Sequence, residues 1–137
     1  MINQTFFAKD YMTTDLICLP LDMNIMEAIS ILIDNEISGA PVVDTSGNLA
    51  GIITERDCIV VAVQVGYFED FAGSVKKFMV DNVETVQADD NLLDIAQKLM
   101  QSSFRRFPVI DGRKLVGLIT RRDILRAISQ RSGRVFK

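Results

Sequence analysis

The chain has 137 residues, of which 48% are hydrophobic and 24% are charged, as is typical of a folded globular protein. Its net charge of −3 argues against a general nucleic-acid binder, because such proteins gain affinity by neutralising phosphates with a basic surface. There is no histidine, and the two cysteines are not spaced as zinc ligands, so no metal site is expected.

The composition also indicates a compartment. The first residues lack the basic and apolar regions of a signal peptide, and the longest apolar run, around Cys58 to Val63, is too short to cross a membrane. Cys18 and Cys58 are predicted to be reduced core residues. We therefore expect a cytoplasmic protein with no membrane partner.

The chain contains an internal repeat: the sequence from Met12 to Ile59 recurs from Met79 to Leu125. The offset is 67 residues and falls to 66 after one deletion in the turn that follows Asp111. A duplication of this length predicts two similar halves that fold together, because each half alone would be marginally stable. The predicted organisation is a first repeat at 8–65, a linker at 66–73, a second repeat at 74–130 and a C-terminal tail at 131–137.

The first repeat begins with a strand and a helix. The apolar run 16–19 is a predicted strand that Pro20 closes, and apolar residues at helical spacing follow from Asn24 to Ile33. Either Asp22 or Asn24 can cap this helix.

A hairpin and a second helix complete the repeat. Strands at 40–43 and 49–53 flank a polar turn, and a helix is predicted from Thr54 to about Val65. Ser74 is predicted to cap a further helix that runs through Met79, and the second repeat then follows the plan of the first. The predicted fold class is α+β, with two β-α-β-β-α repeats.

The common catalytic motifs are absent from the sequence. It has no histidine, no nucleophile elbow, no P-loop and no G-x-G-x-x-G, which removes the usual routes to acyl, phosphoryl and hydride transfer. Asp57 and Asp123 each follow an arginine, which favours their ionised form over a role as a catalytic acid. We expect a protein that is not an enzyme and requires no cofactor.

One motif, G-h-h-T-x-R-D, where h is apolar, occurs at 51–57 and again at 117–123. It places a threonine at the end of a strand and an aspartate on the first turn of a helix, where the helix dipole favours anions. The carboxylate could accept hydrogen bonds from ribose hydroxyls, while the hydroxyl, backbone amides and arginine hold phosphate. The glycine is expected to let a ligand ring approach the backbone.

The same spacing has a purely structural interpretation. T-x-x-D approximates a capping box, in which Thr54 accepts from the amide of residue 57 and Asp57 accepts from the amide of residue 54. A duplicated helix start would duplicate its cap as well, so the sequence leaves both interpretations open.

The two repeats together resemble a tandem pair of cystathionine beta-synthase (CBS) domains, from about Ala8 to Ile128. The resemblance rests on the Pro-Val-Val/Ile-Asp hairpin and on the Gly-Ile-Ile-Thr-Glu-Arg-Asp and Gly-Leu-Ile-Thr-Arg-Arg-Asp segments. It implies that the two repeats pack with pseudo-two-fold symmetry, sheets facing and helices outside. It also implies binding of AMP, ADP or ATP, with S-adenosylmethionine or NAD as less favoured ligands.

The resemblance implies two clefts, each built from both repeats. The first would combine Thr54, Arg56 and Asp57 with Val83, Glu84, Arg105 and Arg106. The second would combine Thr120, Arg122 and Asp123 with Leu16, Ile17, Ser38, Gly39 and Ala40.

The two implied clefts differ in charge. Arg105, Arg106 and Phe107 precede the hairpin proline of the second repeat, where the first repeat has Ser38, Gly39 and Ala40, so the cleft with the arginines is expected to prefer phosphorylated ligands. The alternative is that these arginines are merely solvated charges.

The resemblance further implies a regulatory module that forms a homodimer and acts on a target protein that the sequence does not name. Ligand binding would shift the relative orientation of the two repeats, and the outer helices would transmit that change. The alternative is a non-catalytic dimerisation or scaffold module with vestigial clefts.

Overall fold

The computed structural model describes residues 6–65 and 73–132. The predicted linker, apart from Gly73, and residues 133–137 of the predicted tail lie outside the described residues. The helices are Ala8–Tyr11 (α1), Ile25–Asp34 (α2), Glu55–Val65 (α3), Val75–Phe78 (α4), Leu92–Gln101 (α5) and Arg121–Ser132 (α6). The strands are Leu19–Pro20 (β1), Gly39–Val43 (β2), Leu49–Thr54 (β3), Val86–Gln87 (β4), Arg106–Asp111 (β5) and Lys114–Thr120 (β6).

The strands form two three-stranded sheets of the same topology. In the order β1-β2-β3 and β4-β5-β6, the first pair of each sheet is parallel and the second pair is an antiparallel hairpin. The α+β class and the strand-helix-strand-strand-helix order of each repeat are confirmed. The first strand is shorter than the predicted 16–19, since only Leu19 and Pro20 pair with β2.

Asparagine side chains cap the helix that follows the first strand of each sheet. Asn24 caps α2, because its side-chain oxygen accepts from the amide of Met26 at 2.8 Å, and Asn91 caps α5 in the same way. Ser74 occupies the N-cap position of α4, as predicted, but its side chain makes no capping hydrogen bond. The single turn of α4 is held by backbone bonds instead, including one of 2.8 Å from the amide of Val75 to the carbonyl of Met23.

The chain divides into two compact units that are not the contiguous repeats. The first unit lies within Ile17–Val83, and the second combines residues of Met1–Leu16 with residues of Glu84–Lys137. The first segment of each repeat, up to Leu16 in one and up to Val83 in the other, therefore packs with the rest of the other repeat, and we call these two the exchanged segments.

Paired backbone hydrogen bonds attach each of these segments to its unit. In the first unit Ile52 and Val80 exchange two bonds of 2.9 Å, and in the second Thr13 and Leu118 exchange bonds of 2.8 and 2.9 Å. Each segment thus covers the outer edge of its hairpin, where unpaired strand groups would otherwise be exposed.

Each unit has its own hydrophobic core. The first is built from Leu19, Ile25, Ala28, Leu32, Ala40, Val42, Ile53, Cys58 and Val75. The second is built from Ala8, Val86, Leu92, Ile95, Leu99, Phe107, Val109, Ile119, Ile124 and Ala127. The exchanged segments contribute Val75 to one core and Ala8 to the other, so burial of apolar surface also holds them in place.

Candidate functional site

The first Thr-x-x-Asp motif sits where β3 ends and α3 begins. Asp57 Oδ2 accepts two hydrogen bonds from Thr54, at 2.9 Å from its amide and 2.8 Å from its hydroxyl. The amide of Asp57 donates back to Thr54 Oγ1 at 3.2 Å. This reciprocal pair is the predicted capping box, so the motif does start the helix.

The second motif repeats the geometry at the junction of β6 and α6. Asp123 Oδ2 accepts from the amide and hydroxyl of Thr120 at 2.9 and 3.0 Å, and the amide of Asp123 donates to Thr120 Oγ1 at 3.2 Å. One carboxylate oxygen is committed to the helix start in both units. Any ligand chemistry must therefore use the other oxygen, Oδ1.

In the second unit the other oxygen is engaged as well. Asp123 Oδ1 accepts from the hydroxyl of Thr13 at 3.3 Å and lies 3.0 Å from Nη1 of Arg126. Arg126 also donates from Nη2 to the carbonyl oxygen of Tyr11 at 2.8 Å. The Asp123 side chain is 4% exposed, so the carboxylate is buried with all its contacts made inside the unit.

In the first unit the residues at the equivalent positions cannot make these contacts. The repeat offset pairs Thr13 with Val80 and Arg126 with Val60, and neither valine side chain can donate a hydrogen bond. Among the residues that the structure describes, Asp57 Oδ1 has no hydrogen-bond or ion-pair partner, and Asp57 is only half-buried.

Sequence reasoning missed Thr13 and Arg126. A comparison of the repeats could have found them. Both copies keep the Thr and Asp of the motif, but the first repeat has apolar valines at the positions equivalent to Thr13 and Arg126.

The residues ahead of the hairpin proline lie beside the threonine of their own repeat. Gly39 is paired with Thr54, and the amide of Glu55 donates to the carbonyl of Ser38 at 2.9 Å. In the second unit Arg106 is paired with Thr120. Each hairpin therefore brings these positions to the end of the strand that carries the motif.

The remaining predicted site residues divide between the units. Arg56, Arg105 and Arg122 are exposed, and Ala40 is buried. Glu84 forms an exposed ion pair with Lys98 at 3.6 Å. The first unit holds Ile17, Ser38, Gly39, Ala40, Thr54, Arg56, Asp57 and Val83, and the second holds Leu16, Glu84, Arg105, Arg106, Thr120, Arg122 and Asp123. The pairing of residues across the two repeats stays a prediction.

The glycine of each motif serves the protein's own packing. A Cβ atom at Gly51 would lie 2.6 Å from the carbonyl oxygen of Val80, and one at Gly117 would lie 2.5 Å from Sδ of Met12. The close approach that the sequence suggested is thus made by the exchanged segments. On the side where a Cβ would lie, the space is therefore filled by the protein itself, and the approach of a ligand ring to these glycines stays a prediction.

The two cysteines, Cys18 and Cys58, differ in burial. Both are unpaired, but only Cys58 is a core residue, since Cys18 is half-buried. Burial raises the pKa of the Cys58 thiol above its ordinary value of 9.0, and the Asp57 and Glu55 carboxylates raise it further. The thiol is therefore protonated and unreactive near neutral pH.

Residues 6–65 and 73–132 offer neither a metal site nor a membrane span. No cluster of three or more acidic or cysteine side chains is arranged to hold a metal ion there. No helix in that part of the chain has the length and apolarity needed to cross a membrane.

The CBS domain family model matches residues 8–63 and 75–130. The chain therefore belongs to the CBS domain family and carries two copies of the domain.

Solved CBS pairs share the fold. CBSX2 of Arabidopsis thaliana, in complex with AMP, is 27% identical with a TM-score of 0.80, over 91% of this chain and 97% of that one. The CBS domain pair of MJ0100, in complex with 5′-methylthioadenosine and S-adenosyl-L-methionine, is 32% identical with a TM-score of 0.72, over 89% and 98% of the two chains.

Curated relatives are often longer than this chain. Chloroplastic CBSX1 of Arabidopsis thaliana is 30% identical over 78% of this chain and 57% of its own length. Inosine-5′-monophosphate dehydrogenase of Methanocaldococcus jannaschii is 33% identical over 87% of this chain. The chain spans 23% of that enzyme and 42% of the uncharacterised protein MJ1225 from the same organism.

Proposed function

We propose that this pair of CBS domains binds an adenosine-containing ligand, AMP, ADP or ATP foremost, with S-adenosylmethionine or NAD less favoured. The observation that carries the proposal is the Asp57 carboxylate. One of its oxygens caps α3, and the other has no partner among the described residues.

The chemistry of this carboxylate suits a ribose. An ionised carboxylate oxygen offers two acceptor positions, and the vicinal 2′- and 3′-hydroxyls of a ribose supply two donors. The capping bonds fix the orientation of the carboxylate before any ligand arrives, which lowers the entropic cost of binding. The N-terminal end of α3 and the adjacent Arg56 favour a negatively charged phosphate nearby.

The relatives support the ligand class. AMP, 5′-methylthioadenosine and S-adenosylmethionine, the ligands of the solved relatives, differ at the 5′ position and share adenine and ribose. A site that holds the ribose through a carboxylate would recognise this shared part. We propose that Arg56, Arg105, Arg106 and Arg122 then favour ligands with phosphate at the 5′ position.

The first experiment measures thermal unfolding of the purified chain with AMP, ADP, ATP, S-adenosylmethionine and NAD, followed by calorimetry. A ligand at about 100 times its dissociation constant stabilises the folded chain by roughly 2.7 kcal/mol, which raises the melting temperature by several degrees. No shift with any of these ligands contradicts the proposal.

Two controls isolate the ribose contact. Deoxy-AMP lacks the 2′-hydroxyl and should bind at least about tenfold more weakly than AMP, since a hydrogen bond to a charged group contributes about 1.5–3 kcal/mol. Glu55→Gln removes a negative charge two residues from Asp57 at an exposed side chain, so it should not weaken binding, whereas Asp57→Asn should.

The bound ligand is proposed to regulate rather than to react. Ligand binding would favour one conformation of the pair, and an unidentified target protein would respond to that shift. Small-angle scattering and hydrogen exchange with and without AMP test this step, and identical profiles would contradict it.

Turnover of AMP or ATP by the pure protein would contradict the non-enzymatic assignment. The unpaired cysteines support, as a proposal, a cytoplasmic location.

A second candidate function, a dimerisation module, is favoured by exposed apolar residues on two helices. Ile59 and Val63 of α3 are 62% and 77% exposed, and Leu125 and Ile128 of α6 are 63% and 50% exposed. Each pair lies on one helix face, and such surfaces mark association sites. We propose a homodimer, tested by sedimentation of the chain and of Val63→Lys. A wild-type monomer at high concentration would contradict it.

A further inference from the structure

We infer that the two motifs have different roles: Asp123 is a latch for the segment Tyr11–Thr13, and the chain binds one adenosine ligand, at Asp57. The inference rests on the proposed function for the part that concerns ligand. The part that concerns the latch stands on contacts inside the second unit alone.

The hydrogen-bonding capacity of the two carboxylates separates them. Asp123 accepts two bonds from Thr120 at Oδ2, and its Oδ1 is engaged by the Thr13 hydroxyl and the Arg126 guanidinium. A carboxylate has about four acceptor positions, so none is left for a ribose. Asp57 uses only Oδ2, and its Oδ1 retains both positions among the described residues.

Burial separates them in the same direction. The side chain of Asp123 is 4% exposed, whereas Asp57 is half-buried. A ribose at Asp123 would have to displace Thr13 and Arg126 from Oδ1, and those groups would lose partners that the ligand does not replace.

Displacing Arg126 from Asp123 would disturb more than one contact. Its guanidinium joins the Asp123 carboxylate at 3.0 Å to the Tyr11 carbonyl oxygen at 2.8 Å, and Thr13 is bonded to Leu118 through its backbone. The carboxylate therefore fastens the exchanged segment to the start of α6. Freeing Asp123 would loosen residues 11–13 as well.

The two positions that make the latch are the ones at which the repeats differ. The first repeat has Val80 in place of Thr13 and Val60 in place of Arg126. These valines leave Asp57 without a competing donor. Exchanging the two pairs of residues should therefore exchange the behaviour of the two carboxylates.

The test is calorimetry with AMP on the full chain and on variants. The wild type should bind one AMP per chain, and Asp57→Asn should weaken binding at least about tenfold, because an amide cannot supply both the capping acceptor and a ribose acceptor. Thr13→Val with Arg126→Val places the first repeat's residues around Asp123 and should raise the ratio toward two. Val80→Thr with Val60→Arg should weaken binding at Asp57.

The outcomes are distinct. Two AMP per chain in the wild type, or one AMP that is lost in Asp123→Asn and kept in Asp57→Asn, would overturn the inference. No binding of AMP, ADP, ATP, S-adenosylmethionine or NAD by the wild type or by either exchanged variant would defeat the proposed function itself.

Amide hydrogen exchange, measured without ligand, tests whether Asp123 holds the segment Tyr11–Thr13 in place. Arg126→Val should speed exchange of the Thr13 amide, which donates to Leu118 at 2.8 Å, and Val60→Ala should leave the Val80 amide unchanged. Unchanged exchange at Thr13 in both Arg126→Val and Asp123→Asn would refute the latch.

Discussion

Replacing the two aspartates by alanine should destabilise the chain by clearly different amounts. Asp57→Ala removes a helix cap, which costs about 1 kcal/mol. Asp123→Ala removes the same cap and also the contacts to Thr13 and Arg126. The structure thus predicts a larger loss of stability for Asp123→Ala than for Asp57→Ala, whereas the similar sequences of the two motifs would predict equal losses.

The size of the difference follows from the contacts. The Thr13 hydrogen bond is long, at 3.3 Å, and contributes about 0.5 kcal/mol. The ion pair is short at 3.0 Å, but the Arg126 side chain is 45% exposed and keeps part of its hydration, so we assign it about 1–1.5 kcal/mol rather than the value for a fully buried pair. The total loss for Asp123→Ala is therefore about 3 kcal/mol.

Urea denaturation measures both losses. The chain has no tryptophan, so unfolding is best followed by far-ultraviolet circular dichroism, with the free energy of unfolding extrapolated linearly to water. The difference of about 2 kcal/mol corresponds to roughly 6–10 °C in melting temperature for a chain of this size.

A double-mutant cycle identifies the source of the difference. Asp123→Ala combined with Arg126→Val should show a coupling of about 1 kcal/mol, because the second substitution removes nothing further from the ion pair. Asp57→Ala with Val60→Ala is the matched control and should be additive. Equal losses for the two aspartates, within about 0.5 kcal/mol, would refute the reasoning.

Three further predictions test other parts of the structure. Gly51→Ala should destabilise the chain by about 2–3 kcal/mol in urea, because the new Cβ would lie 2.6 Å from a backbone atom, Val80 O. Gly117→Ala should cost less, since the nearest atoms there belong to a flexible methionine side chain; equal costs would contradict this account. Asn24→Ala should cost about 1 kcal/mol through loss of the α2 cap, and no change in urea midpoint would show that the cap contributes nothing. The raised pKa of Cys58 means that the folded chain resists thiol ionisation while the unfolded chain does not, so stability should fall as pH rises above 9.0, and Cys58→Ser should reduce that fall.

The repeat and the local patterns made most of the fold predictable. The helix that the pattern predicts from Asn24 agrees with α2 within one residue, and turn residues and strand patterns predict the hairpin and the second helix. Helix periodicity and turn chemistry are local, so they can be read from neighbouring residues.

The exchange of segments between the repeats was not predictable in this way. Residues 6–16 join the second unit through backbone bonds such as Ala8 to Asp90 at 3.0 Å and Thr13 to Leu118 at 2.8 Å. Backbone donors and acceptors are the same at every position, so these contacts leave no side-chain pattern. The short helix α1, one turn long, is equally weak as a sequence signal.

The motif itself was predictable, but its meaning was not. Thr54 with Asp57, and Thr120 with Asp123, form the capping boxes that their spacing allows. Which oxygen remains for a ligand depends on Thr13, which lies 110 positions from Asp123 in the sequence. Spacing within the motif carries no information about so distant a residue.

The retention of Thr and Asp in both copies therefore has a sufficient structural cause. Each repeat needs a start for its second helix, and the reciprocal bonds between threonine and aspartate supply it whether or not a ligand binds. The second carboxylate oxygen is free of this constraint, and it is here that the copies differ: the first repeat has valines at the positions equivalent to Thr13 and Arg126, which contact Asp123. The number of copies of the motif thus equals the number of helix starts that it caps. The residues around Oδ1 of each aspartate determine whether that copy can also bind a nucleotide.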